Sequence, residues 1–249
     1  MKIRFLIFLC SFLMAGCASR PPVVQEVAPG PYVCRPAGTA IVVDGRLDES
    51  AWQHAETLAI RYVFKPEKYT VPPPETTVRL LWDRDYLYVG FTCIDDDIWS
   101  FSSRADDTLW SGDVAELFLK PSREAKNYYE FIVAPNGALY DTRYPSRGAG
   151  GSNRFKSWSS GARIATGVKG TDGNCEDSDQ GYCVEMAIPW AAFSEGRPAE
   201  NSIWTFGAFR YDYSKSLEDP FLLTSMPGPL TWFHNYEKYQ DIRFSSDVP

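Results

Sequence analysis

Carboxylates and aromatic rings, far more than histidines, are the groups through which this chain could do chemistry. It carries 32 Asp and Glu but only two His. With His54 and His234 as the only imidazoles, and neither in a nucleophile motif, a Ser-His-Asp or Cys-His arrangement has little to build on. No glycine-rich phosphate cradle is present. A carboxylate pair for glycoside hydrolysis can always be nominated from so many acids, and it gains weight only with a measured separation. One carboxylate stands out by pattern. In 114–119, alternation places Val114, Glu116 and Phe118 on one face and Ala115, Leu117 and Leu119 on the other. Glu116 is therefore a charge among apolar neighbours, and it needs a partner, either a ligand hydroxyl or an arginine of the core. Trp110 precedes it in a polar, glycine-containing loop. Two acidic runs, Asp95-Asp96-Asp97 and Asp106-Asp107, read first as solvated loop charge. Crowded carboxylates also favour a bound cation, and calcium prefers such oxygen ligands.

The elements that position these residues are strands. Runs rich in Val, Ile, Tyr, Phe and Trp alternate with Asp, Asn, Gly and Pro along the chain. Residues 76–82 and 86–93 read as a hairpin joined by Asp83-Arg84-Asp85; 114–119, 128–134 and 138–143 follow, the last two joined by Pro135-Asn136-Gly137. Further strands fall at 162–168, 182–188, 203–213 and 239–244. Two short stretches, 49–55 and 190–193, look helical. The pattern predicts an all-β fold, a β-sandwich of jelly-roll type with one or two short helices, forming one domain over 33–247. With eight Trp, 14 Tyr and 15 Phe, most rings must pack inside, and Trp52, Trp82 and Trp190 are assigned to the core. Residues 145–160, centred on Gly148 to Gly151, form a long loop of the kind that often carries function.

The N-terminus has two positive charges, a short apolar run and then Ala15-Gly16-Cys17. This is a secretory signal over 1–16 whose end resembles a bacterial lipobox, with Cys17 the lipidated first residue of the mature chain. Ala18-Ser19 fits outer-membrane sorting, facing the periplasm or the cell surface. Residues 17–32 are a proline-rich spacer. Losing Lys2 and Arg4 from 25 basic residues leaves 23 against 32 acidic ones, a net charge of −9, so nucleic acid is not an expected partner. In an oxidising compartment Cys34, Cys93, Cys175 and Cys183 allow three pairings. Cys175 and Cys183 flank a Gly/Asn/Asp-rich loop and suggest a local bridge, which leaves Cys34 with Cys93. No CxxC spacing supports zinc.

Several motifs occur in order that resemble family 9 carbohydrate-binding modules, within the broader DOMON-like sandwiches. They are Val42-Val43-Asp44-Gly45-Arg46-Leu47-Asp48-Glu49-Ser50-Ala51-Trp52; Val78 to Asp83 with Tyr86-Leu87-Tyr88-Val89; Asp106-Asp107 with Trp110 and Asp113 to Phe118; Tyr129-Glu130-Phe131; and Val184 to Trp190. The resemblance covers about 39–244. It implies a sandwich that clamps a sugar between two aromatic faces, with polar side chains around the hydroxyls. By position Trp110 would be one face and Trp232 the other, with Asp113, Glu116 and Asn235 as polar contacts. The family's ligand-binding arginine falls near Ile132, which offers no donor. Structural calcium is also implied, with Asp95, Asp96, Asp97, Asp106 and Asp107 as candidate ligands. The expected function is binding of an oligosaccharide or polysaccharide chain by a membrane-anchored, non-catalytic module, with a glycoside hydrolase as a possible partner. The alternatives are an O-glycosyl hydrolase or accessory subunit in carbohydrate catabolism, and a haem-binding sandwich using Met186 and His234.

Overall fold

The computed structural model describes residues 30–149, 157–214, 219–228 and 232–247. The signal and Cys17 lie outside the described residues. Alternating β-branched and aromatic residues form thirteen strands among those described. In chain order they are β1 (Tyr32–Pro36), β2 (Thr57–Ala59), β3 (Tyr62–Val63), β4 (Thr76–Trp82), β5 (Tyr86–Cys93), β6 (Val114–Lys120), β7 (Tyr128–Val133), β8 (Leu139–Tyr144), β9 (Arg163–Lys169), β10 (Gly181–Pro189), β11 (Ile203–Asp212), β12 (Phe221–Thr224) and β13 (Gln240–Phe244), with one short helix, α1 (Ser50–His54). A 3-10 turn at Trp190–Ala192 stands where the second helical stretch was expected.

Two largely antiparallel layers result. The first runs β8-β7-β6-β11-β13, with β12 on the outer half of β11 and β3 on β12. The second runs β4-β5-β10-β9, with β2 on β4. β1 joins them, parallel to β13 through Tyr32 and Ile242 and parallel to β4 through Arg35 and Leu81. Between the layers pack Leu80, Val89, Phe91, Val184 and Met186 from one sheet and Ala115, Leu117, Phe131, Phe206 and Ile242 from the other. The first sheet is covered on its outer face too, by Phe118, Tyr128, Tyr144, Phe209, Phe233 and Tyr239. Every residue of β6 is consequently buried.

Two of the sequence motifs meet at one carboxylate. Glu185, on β10, accepts backbone N–H bonds from Asp44 (2.9 Å) and Gly45 (3.1 Å) through Oε2. Its Oε1 accepts the Trp52 indole N–H at 3.3 Å, which docks α1. Gly45 has φ +86°, and a Cβ there would lie 2.4 Å from the Thr166 carbonyl carbon, so backbone meets backbone at a spot where a side chain has no room. The β4–β5 turn is closed by Asp83, whose Oδ1 accepts from the amides of Asp85 and Tyr86.

The structure differs from the sequence reading at two places. The spacer ends before Tyr32, which is fully buried in β1 with its hydroxyl receiving the Leu80 amide at 2.8 Å. Neither expected disulfide is formed. Cys34 and Cys93 are buried thiols. Arg35 lies opposite Leu81 and Cys93 opposite Thr76, so at roughly 3.3 Å per residue the pair is separated by about 13 Å along β4, beyond the roughly 7 Å between Cα atoms that a disulfide tolerates. Cys183 is a thiol within β10, its Sγ 4.0 Å from Thr92 Oγ1. Cys175 is on an exposed loop that lines a cavity with Ile98 and Trp99.

Candidate functional site

The outer face of the first sheet holds a cavity of about 480 Å³. Register assembles its floor. Glu116 on β6 lies between Ile132 on β7 and Phe209 on β11. Tyr128 and Glu130 on β7, Tyr144 on β8 and Tyr211 on β11 also line it. Two irregular segments supply the walls. A 3-10 turn at Leu109–Ser111, anchored by buried Leu109, presents Trp110. The Trp110 ring stands edge-on to Tyr140 at 5.3 Å, and its backbone carbonyl accepts the Tyr213 hydroxyl at 3.0 Å. Opposite in sequence, Trp232 is 52% exposed, but its neighbours are fixed. Phe233 stacks on Phe209 at 4.2 Å, and the Phe233 carbonyl accepts the Tyr239 hydroxyl at 2.9 Å. His234 Nδ1 is 2.9 Å from the Tyr128 hydroxyl, with the Trp232 ring 4.5 Å away.

Two carboxyls sit in this floor in mutual hydrogen-bond contact. Burial, and then the charge of Glu130, push the Glu116 carboxyl well above the usual range. Burial also raises Glu130, while the contacts with Glu116 and Tyr144 hold it down. Burial thus raises both carboxyls, and each shifts the other. Tyr144 donates to Glu130 Oε2 at 2.7 Å. Glu116 Oε2 is buried and receives no hydrogen bond from a donor among the described residues. Burial lowers His234 to about 4, leaving a neutral imidazole at neutral pH. The wall and floor together offer two indoles, a carboxyl pair and tyrosine hydroxyls: flat apolar faces with hydrogen-bonding groups between them.

Of the residues expected at the site, Trp110, Glu116 and Trp232 line this cavity, as does Ile132. Asp113 does not. It is fully buried, accepting the Trp99 amide (2.6 Å) and the Tyr213 amide (2.6 Å) on its two oxygens. Strand parity separates it from Glu116, since the two side chains leave β6 and its approach on opposite faces. Asn235 begins the Tyr236–Lys238 turn and is not part of the lining. Glu130 and the tyrosines were missed as site residues. Glu130 had the same signal as Glu116, a carboxylate alternating with apolar residues in a strand. Met186 lies in the core between the sheets and His234 on the outer face, so the two do not converge on a haem.

The acidic runs are dispersed. Asp107 pairs with Arg104 at 2.7 Å, which lowers its carboxyl to about 2, and Asp96 is exposed. Among the described residues, carboxylates gather instead at Asp95, Asp113 and Asp212, with one ligand oxygen from each within 4.8 Å of the others. Hard oxygen donors suit calcium, but the positive charge at this cluster is already supplied. Arg210, fully buried, already pairs with Asp95 (2.7 Å) and Asp212 (2.5 Å). Burial and then the Asp95 charge push Asp113 up to about 9, and burial brings Asp212 to about 6.

An all-β sandwich with an aromatic-walled polar cavity on one sheet face is, by architecture, a ligand-binding module. The chain belongs to the family described as carbohydrate family 9 binding domain-like, whose model matches residues 43–239. Among curated relatives, endo-1,4-beta-xylanase A of Thermotoga maritima is 28% identical over 167 residues, covering 66% of this chain but 13% of the xylanase. An extracellular protein of Arthroderma benhamiae is 26% identical over 163 residues, covering 64% of this chain and 72% of that one. A putative carbohydrate-binding protein from Bacteroides uniformis shares the fold with a TM-score of 0.68 at 14% identity, covering 88% of this chain and all (100%) of that one. So does a carbohydrate-binding module family 9 of Caldicellulosiruptor kristjanssonii in complex with cellotriose, with a TM-score of 0.61, 17% identity and coverage of 88% and 95%.

Proposed function

We propose that this chain is a non-catalytic module that binds an oligosaccharide or polysaccharide chain and is held at a membrane by lipid on Cys17. The observation that carries the binding reading is the cavity of about 480 Å³ in which Trp110 and Trp232 supply ring faces and Glu116 and Glu130 polar groups. Sugars present apolar C–H faces flanked by hydroxyls, and aromatic walls with buried acceptors match both. The cellotriose complex of the Caldicellulosiruptor module supports the same ligand class. The xylanase relatives suggest a glycoside hydrolase as partner.

The test is a glycan array on the purified protein followed by calorimetric titration of each hit. Saturable binding that weakens in Trp232→Ala supports the reading; an array without any sugar bound above background overturns it. For the anchor, Cys17→Ser releases the protein to the soluble fraction, and a variant that stays with membranes defeats that part alone.

A further inference from the structure

Among the described residues, the cavity lining carries two buried carboxyls and no cationic side chain. Glu116 is 2% exposed and Glu130 4% exposed. A carboxylate ionised on either residue would be a negative charge buried in the floor. Buried charge is costly unless it is paired. The inner face of the same sheet obeys that rule, with Arg210 placed between Asp95 and Asp212. The outer face does not. The cross-strand neighbours of Glu116 are Ile132 and Phe209, no Lys or Arg is among the described residues lining the cavity, and the one imidazole there is neutral at ordinary pH. Tyr144 gives Glu130 a hydrogen bond but no charge. Glu116 Oε2 has no donor among the described residues.

Resting on the sugar-binding reading, we infer that the missing charge comes from the ligand: the cavity selects an amino sugar, its ammonium seated on the Glu116–Glu130 pair and its ring between Trp110 and Trp232. An ammonium supplies three donors and the absent charge at once, and a charge-assisted bond in a water-poor site is about twice as strong as a neutral one. A hydroxyl donates one bond and leaves the charge standing. An N-acetyl group brings bulk and a single N–H, and a uronate carboxylate adds like charge.

The experiment compares β-1,4-linked disaccharides that differ only at C2: the glucosamine dimer, cellobiose and N,N′-diacetylchitobiose, each titrated at pH 6 into the purified protein. The expected result is a glucosamine dimer bound at least tenfold more tightly than either other sugar. In Glu116→Gln and Glu130→Gln, near-isosteric changes checked by thermal unfolding, that preference should shrink to about twofold or less. Cellobiose bound as tightly as the glucosamine dimer overturns the amine inference and leaves sugar binding intact. A preference that persists in both Gln variants places the amine elsewhere and also overturns it. Failure of all three sugars, together with an empty glycan array, removes the sugar-binding reading itself.

Discussion

Replacing Trp110 with Ala separates a binding wall from a packing residue. Trp110 is half-buried, packing edge-on to Tyr140 and against the cluster of Leu109, Val114, Ile132 and Ala138, and it faces the cavity with the rest of its surface. Truncating a fully buried Trp costs about 3–5 kcal/mol, so a half-buried ring should cost about 1.5–2.5 kcal/mol. For a domain of this size, 1 kcal/mol moves the melting temperature by roughly 2–4 °C, which gives a fall of about 3–10 °C. Trp52 provides the contrast: it is 1% exposed and its indole N–H holds Glu185, so Trp52→Ala should lose about 6–20 °C by the same conversion. In binding the order reverses. Trp110→Ala should weaken the sugar by tenfold to a hundredfold, about 1.4–2.8 kcal/mol, while Trp52→Ala, read well below its melting point, keeps wild-type affinity. Differential scanning fluorimetry and calorimetric titration on the same samples decide the matter. Undiminished affinity in Trp110→Ala would refute the wall assignment, and a melting loss as large as that of Trp52→Ala would assign the ring to the core.

Three further outcomes follow from the geometry. Gly45→Ala should destabilise the fold by about 2–5 kcal/mol, from left-handed backbone strain plus overpacking against Thr166; a chemical denaturation midpoint within error of wild type would remove the close-approach argument. Stability should fall as pH rises from about 6.5 to 9: Asp113 has its folded pKa raised from 3.8 to about 9, so the folded state keeps a proton that the unfolded chain has released, and that advantage, full below the unfolded pKa, is lost as pH climbs through the folded one. His234, lowered to about 4, acts in the opposite sense only below about 6.5, and a melting temperature that rises between pH 6.5 and 9 contradicts the Asp113 assignment. Millimolar calcium should leave the melting temperature of the wild type unchanged, because Arg210 already supplies the positive charge between Asp95 and Asp212; a rise that Asp113→Asn abolishes would place a cation at that cluster.

The sandwich was legible because runs rich in β-branched and aromatic residues mark the long strands, and the Asp83 and Pro135-Asn136-Gly137 turns that bound them carry their own chemistry. The short strands β2, β3 and β12 were not, since two to four residues are too few to show a period. Glu116 could be singled out as a carboxylate in an apolar strand. Placing Asp113 beside it ignored parity: residues 113 and 116 cannot share a face of one strand. The same parity, carried through the register, sorts Arg210 opposite Ala115 to the inner face and Tyr211 opposite Val114 to the outer one. What no single strand reveals is which strands become neighbours, and so the Glu116–Glu130 contact and the convergence of Asp95 on Asp212 were hidden. The cysteine pairings failed for the same reason, because loop proximity was read without register.

The contrast between the two faces of the first sheet locates function more firmly than any single residue. On the inner face, two carboxylates meet a guanidinium, a third, Asp113, is kept neutral by burial and takes two backbone amides, and the arrangement is complete without a ligand. Such a cluster resists change, because removing Arg210 would strand buried charge at a cost of about 3–5 kcal/mol. On the outer face a carboxyl pair of similar burial has a tyrosine hydroxyl, a neutral imidazole and apolar cross-strand neighbours. The sandwich core closes between the sheets and does not need that pair, so two apolar residues at 116 and 130 would give a more stable fold. A sequence that breaks the burial rule at one place, while observing it one strand-thickness away, is the contrast on which the amine inference rests.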